Sequence, residues 1–352
     1  LAIIRLILFK KITDMKKIFI FVMLTAVISS LTACNDEWTE EQYEHFVSFS
    51  APLNSKGVTN VYVPYSRKTS DGAYKKGEGM SDYQLPILVS GTLATDKDIN
   101  VHVAFDPDTL NQLNYERFQS RTDLFYSDME KYVSFPEVTT VHAGDRKAVL
   151  DVDFNFKGID MSEKWVLPLT IVDGSQYGYQ AHPRKNYKKA LLRVFPFNDY
   201  SGDYSGTALL TTIDGDEGSG SLVKNDVRGY VVDENTIFFY AGTMDEERTD
   251  RKNYKIMAKF VGDNSGIVQF SCDNPEVDFK VAKEASFRIT ESMDAVRPYL
   301  KHRYLIINNI EYWYSDYTSV LGTAIRYHVK GTLTLERQIN TQIPDEDQAI
   351  EW

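Results

Sequence analysis

From His45 onward the chain is a succession of short apolar runs cut by polar turns, with almost no helical period, and this restricts it to an all-β fold. Phe46 to Phe49, Val58 to Val63, Leu85 to Val89, Ile99 to Phe105, Val149 to Phe156, Lys164 to Val172 and Ala190 to Phe197 all read as strands. Val101-His102-Val103-Ala104-Phe105 and Val149-Leu150-Asp151-Val152-Asp153-Phe154 alternate as half-buried strands do. Asp108 to Gln119 reads as helical, with Asp106-Pro107 ahead of it as a start signal. Seven or eight strands with such turn spacing predict an immunoglobulin-like β-sandwich over residues 45–197.

After Pro196-Phe197-Asn198-Asp199 a second domain is predicted over 198–340. Its hairpins pair Val227 to Val232 with Thr236 to Tyr240, and Tyr254 to Val261 with Ile267 to Ser271. Ala285 to Thr290 follows, then a short helical candidate, Met293 to Leu300, and two long strands around Tyr304 to Tyr314 and Ala324 to Arg337. Consecutive antiparallel strands of this kind fit an up-and-down, lipocalin-like antiparallel β-barrel, which removes exposed edges; a second sandwich is the alternative. Residues 341–352, with Asp345-Glu346-Asp347, read as a solvated acidic tail that includes Trp352.

The N-terminus carries an address. Lys16-Lys17 followed by an apolar run from Ile18 to Ile28 is laid out as a secretory signal peptide. The run is shorter than the ~20 residues of a bilayer span. It ends in Leu31-Thr32-Ala33-Cys34, a bacterial lipobox, so residues 1–33 are expected to be removed and Cys34 to carry lipid. Met15 opens a complete signal peptide, which makes residues 1–14 an upstream extension. Residues 34–44 form a tether with five acids and no base after Cys34. This stretch reads either as a solvated spacer or as similar to the acidic export signal that sends Bacteroidetes lipoproteins to the cell surface. The expected location is the outer membrane, facing the exterior, with membrane contact through the lipid anchor only.

Composition bears on partners. The full chain has 39 Lys plus Arg against 50 Asp plus Glu; losing Arg5, Lys10, Lys11, Lys16, Lys17 and Asp14 leaves 34 against 49, a formal charge of −15. That excludes a phosphate-driven nucleic-acid partner. Two cysteines, Cys34 and Cys272, make no disulfide framework, and the six histidines are dispersed without metal-ligand spacing. There is no Gly-x-Ser-x-Gly elbow and no phosphate-cradling glycine loop. Asp214-Gly215-Asp216-Glu217-Gly218-Ser219-Gly220 lacks the spacing and closing acid of a calcium loop. No catalytic residue, metal or cofactor is therefore predicted, although a carboxylate pair for glycoside hydrolysis is a three-dimensional quantity.

The aromatic content points to a ligand. All 22 tyrosines lie in the mature part, and Ile310-Glu311-Tyr312-Trp313-Tyr314-Ser315-Asp316-Tyr317 places four aromatics in six residues. On a strand Tyr312 and Tyr314 share one face, and Glu311 and Trp313 the other. Flat rings beside a carboxylate match a sugar's apolar faces and hydroxyls, so Glu311, Tyr312, Trp313, Tyr314 and Tyr317 are the candidate glycan contacts. The competing reading makes them ordinary strand residues, since aromatics favour strands. Trp165 reads as core, and Cys272 as a strand residue.

Several segments resemble a known family. Asp36-Glu37-Trp38, Glu40 to Glu44 and Val47-Ser48-Phe49-Ser50-Ala51-Pro52 resemble the start of a Bacteroidetes lipoprotein domain of unknown function that recurs in polysaccharide-utilisation loci. Leu167-Pro168-Leu169-Thr170-Ile171 fits its closing region. Tyr312 to Thr318 with Tyr327 to Arg337 resembles a second uncharacterised domain that follows it. The resemblance implies a lipoprotein beside an outer-membrane importer and its companion lipoprotein, binding a glycan or oligosaccharide without catalysis. The alternatives are a structural or adhesive module with protein partners, and a glycoside hydrolase.

Overall fold

A computed structural model describes residues 41–69, 72–216, 218, 220–345 and 347–352. The predicted signal peptide, Cys34 and most of the tether lie outside the described residues. Among the described residues no helix is long and apolar enough to cross a membrane.

The first half is a β-sandwich. Gln180–Ala181, Phe46–Phe49, Met80–Val89, Lys147–Asn155 and Val133–Ser134 form one sheet in that order. Thr59–Pro64, Lys189–Phe197, Lys164–Ile171, Ile99–Phe105 and Val138–Val141 form the other, and Tyr126–Asp128 also pairs with Lys164–Ile171. Alternate residues meet between the sheets: Leu150, Val152 and Phe154 from one, Leu167, Leu169 and Leu192 from the other. The helix Pro107–Phe118 begins where expected, with the Asp106 carboxylate accepting from the Thr109 amide. It covers the outer face of the second sheet, where Leu110 and Phe118 pack on Val166 and Leu191. Burial on both faces explains why Lys164–Ile171 and Lys189–Phe197 read as continuous apolar runs. Trp165 is core, 7% exposed, its indole N–H donating to Asp160 O at 2.8 Å.

The second half is a closed barrel. Gly202–Ser205, Asp226–Val231, Thr236–Tyr240, Lys255–Gly262, Ser265–Ser271, Ala285–Met293, Leu300–Val320 and Thr323–Asn340 pair in sequence, each antiparallel to the next. Thr323–Asn340 then pairs back to Gly202–Ser205, so the ring has no open edge. Leu209–Ile213 continues along the same edge of Thr323–Asn340. Where the two short strands divide, Gly331 has φ +145° and a Cβ there would lie 1.9 Å from Ala208 O. Only glycine lets the backbones approach so closely.

Two expectations are corrected. Met293 to Leu300 is not helical: Met293 ends a strand, and the Asp294 carboxylate accepts from the Val296 and Arg297 amides in a tight turn. Pro298 inside that stretch bars a helix. The described residues of 341–352 are not a free tail, although many stay exposed. Ile350–Glu351 pairs with Gln338 and Ile339, and Trp352 stacks on Tyr62 with ring centroids 4.3 Å apart. Of the tether only residues 41–44 are described, and they are exposed; Glu41 accepts from the Thr92 and Leu93 amides at 2.7 and 2.8 Å and from His45 at 2.8 Å. The His45 bond and those amides hold the Glu41 carboxyl well below the usual range.

Side chains bolt the two halves together. Arg251, fully buried in the loop before Lys255–Gly262, donates to Ser162 O at 3.0 Å and Asp123 O at 2.9 Å in the sandwich. In the same loop Glu246 accepts from Arg193 at 2.6 Å. Burial raises the Glu246 pKa, but Arg193, Lys164 and Lys56 together outweigh it and hold the carboxyl at about 2.

Candidate functional site

The aromatic cluster divides across the barrel wall. Leu305 and Ile307 point inward; a bulge follows before Ile310, with Asn309 at φ 59°, and from there Ile310, Tyr312 and Tyr314 point inward. Tyr312 and Tyr314 are 0% and 1% exposed, packed with Phe270, Phe279 and Tyr327. The Tyr312 hydroxyl accepts from the Gly242 amide at 3.3 Å. These two rings are core residues that no ligand reaches without opening the barrel, which corrects their place among the candidate contacts.

Glu311 and Trp313 face out, both half-buried. Trp313 stacks on His328 at 4.5 Å with ring planes 3° apart, and His328 Nε2 lies 3.1 Å from Glu311 Oε1. This is a small, flat polar-aromatic patch on the barrel wall. Tyr317 belongs elsewhere: its hydroxyl accepts from Asn274 Nδ2 at 3.0 Å and its ring leans on Tyr254. Around it, Asp316, 3% exposed, accepts from the Tyr254 hydroxyl at 2.9 Å and from the Thr318 and Ser319 amides. That network folds the strand end and leaves Tyr317 with a structural task.

A cleft of about 560 Å³ lies where the halves meet, within the range of ordinary ligand sites. Tyr62 and Pro64 come from Thr59–Pro64, at the edge of one sheet; Asp82, Tyr83 and Gln84 come from Met80–Val89 in the other. Arg67 and Lys75 come from the connection between them. Asp345, Asp347, Gln348, Ile350 and Trp352 come from the segment that folds back from the barrel. Phe195, Tyr62 and Trp352 form a stack, Phe195 on Tyr62 at 5.4 Å and Tyr62 on Trp352 at 4.3 Å, while Trp352 stays 50% exposed. Burial pushes the Tyr83 phenol up.

Polar groups converge on Arg67, 8% exposed. Its Nη1 lies 3.2 Å from Asp347 Oδ2 and 3.6 Å from Asp345 Oδ2; its Nε lies 3.6 Å from Asp82 Oδ1, and Nη2 donates to Asp82 O at 3.1 Å. Burial raises the Asp347 pKa, and Arg67 only partly offsets it. The cleft thus joins aromatic surface to hydrogen-bonding groups. Sequence reasoning missed it, although one signal was present: in Thr-Asn-Val-Tyr-Val-Pro, Val61 and Val63 turn inward and leave Tyr62 outward.

Other sequence candidates find structural roles. Asp214 pairs with Arg326 at 3.3 Å, while Glu217 and Ser219 of its loop lie outside the described residues. Burial pushes the Cys272 thiol up, away from a reactive thiolate. Among the described residues no group of His, Cys, Asp or Glu is placed to hold a metal.

The family model for the domain of unknown function DUF4973 matches residues 38–175, and a second model, for a C-terminal domain, matches 188–334. Among solved structures, the chain is similar to an auxiliary nutrient binding protein from Bacteroides thetaiotaomicron VPI-5482, at 56% identity over 88% of this chain and 100% of that one, TM-score 0.81. A multidomain protein including DUF1735 from Bacteroides ovatus is 43% identical over 87% and 100%, TM-score 0.75. A third structure, a Bacteroides ovatus protein of unknown function, is 35% identical over 86% and 95%, TM-score 0.74. No curated protein sequence matches.

Proposed function

The chain belongs to the family of two-domain Bacteroides proteins in which DUF4973 precedes a C-terminal domain, and we propose that it is a non-catalytic surface lipoprotein that binds a glycan for uptake. The observation that carries this reading is the cleft at the domain junction. Its half-exposed Trp352, backed by Tyr62, offers a flat apolar surface, and Gln84, Gln348 and the aspartates offer hydrogen-bond partners for hydroxyls. The nutrient-binding relative supports a binding role. The lipobox at Cys34 and the acidic residues behind it support attachment to the outer membrane, facing outward, beside an importer and its companion lipoprotein.

Catalysis is not part of the proposal. Glycoside hydrolysis needs one free carboxylic acid and one free carboxylate across the sugar. Asp82, Asp345 and Asp347 instead lie within ion-pair reach of Arg67, Asp82 of Lys76 as well, and Asp347, whose pKa burial raises, accepts from Arg67.

A second reading places the ligand on the barrel wall, at Trp313, because that ring and Glu311 face solvent together. Affinity gels of the mature chain against a polysaccharide panel separate the two. We expect retention by at least one polysaccharide, weakened several-fold to about ten-fold by Trp352→Ala, the order expected for losing one stacked ring. Trp313→Ala should bind as the wild type does, and the retained polysaccharide should release no reducing ends. Retention abolished by Trp313→Ala alone would move the site to the barrel wall; retention by nothing would end the glycan reading.

A further inference from the structure

We infer that the junction cleft selects uncharged polysaccharide and excludes chains bearing uronate or sulfate groups. This inference rests on the glycan-binding reading and narrows it to a substrate class. It comes from how the charges in the cleft are already spent.

Proteins that recognise a carboxylate or sulfate on a sugar need a free cationic fork, and arginine supplies the best one. Arg67 is the buried guanidinium in this cleft, and three carboxylates surround it, those of Asp82, Asp345 and Asp347, at 3.6, 3.6 and 3.2 Å. Its Nη2 is turned to a backbone carbonyl, Asp82 O. An incoming anion would therefore meet a guanidinium already engaged by three carboxylates, one of which, Asp82, also lies 3.7 Å from Lys76. The other lining cation, Lys75, is exposed, so its charge is screened by salt. A neutral sugar meets the opposite situation. Its hydroxyls are donors, and aspartate oxygens beyond those held by Arg67 are acceptors. The side-chain amides of Gln84 and Gln348 can serve either role. The acidic mature chain adds a long-range field of the same sign.

The test uses the mature chain in affinity gels and calorimetry against two sets of polysaccharides, at low and at physiological salt. The neutral set contains glucan, mannan, galactan and xylan; the anionic set contains polygalacturonate, alginate and chondroitin sulfate. We expect the retained polysaccharides to fall in the neutral set, with anionic chains at least ten-fold weaker and the gap narrowing as salt is added. Asp345→Asn and Asp82→Asn free part of Arg67, and either should raise retention by an anionic chain several-fold while weakening the neutral one. An anionic chain bound as well as or better than every neutral one would overturn the inference and leave glycan binding standing. Retention by neither set would remove the glycan reading and the inference with it. Unaltered anion retention in folded Asn variants would refute the charge argument; if those variants do not fold, the wild-type ratio between the two sets decides.

Discussion

Replacing Glu246 with Gln tests whether the cleft stands on a rigid domain interface. The Glu246 side chain is only 20% exposed, and its Oε2 takes the Arg193 guanidinium at 2.6 Å and the Tyr230 hydroxyl at 3.2 Å. Lys56 lies 3.7 Å away on the other oxygen. Folding lowers the carboxyl from an ordinary 4.5 to about 2, which is worth about 3 kcal/mol at neutral pH. The same figure follows from the other direction, since removing one partner of a buried ion pair costs roughly 3–5 kcal/mol. With an unfolding entropy of about 2 cal/mol/K per residue, a cooperative unit of about 300 residues should melt about 5 °C lower. Because the folded pKa is depressed, this stabilisation is fully present above pH 4.5 and disappears as pH falls toward 2. The assay is thermal melting of wild type and Glu246→Gln from pH 7 down to pH 3. The gap should be widest at pH 7 and shrink with acid. Equal melting temperatures at pH 7, or a gap that does not change with pH, would refute the assignment of the interface to this pair.

Two further perturbations address the barrel. Gly331→Ala combines a left-handed φ of +145° with a Cβ 1.9 Å from Ala208 O, so the pairing of Thr323–Asn340 with Leu209–Ile213 must distort. We expect a loss of more than about 2 kcal/mol in chemical denaturation, against the few tenths typical of exposed substitutions. His302 sits between Glu336 Oε1 at 2.6 Å and Asp294 Oδ2 at 3.0 Å, and these bonds raise its pKa above 6.5. A raised histidine stabilises below its unfolded pKa and ceases to as pH climbs through the folded one. Wild type should therefore lose its advantage over His302→Gln as pH rises above 6.5, a trend that melting curves from about pH 6 upward would show or contradict.

Local reading succeeded where local forces decide. Ile99–Phe105 and Thr236–Tyr240 are strands with the bounds that alternation and turn residues predict. Closure of the barrel was one of two readings, because it depends on the pairing of Tyr204 with Leu335 across more than half the domain. The split of the aromatic cluster was legible as two faces, but which face points inward depends on the bulge at Asn309, which reverses the alternation set by Leu305 and Ile307. Residues 341–352 defeated compositional reasoning altogether. Their acids look solvated until Arg67, 280 residues away from Asp347, is brought beside them, and Trp352 looks like a terminal residue until Tyr62 receives it. A cleft whose walls come from such distant segments has no sequence signature of its own. Its geometry is a property of the domain interface, so loosening Arg193–Glu246 should degrade glycan retention even though neither side chain lines the cleft.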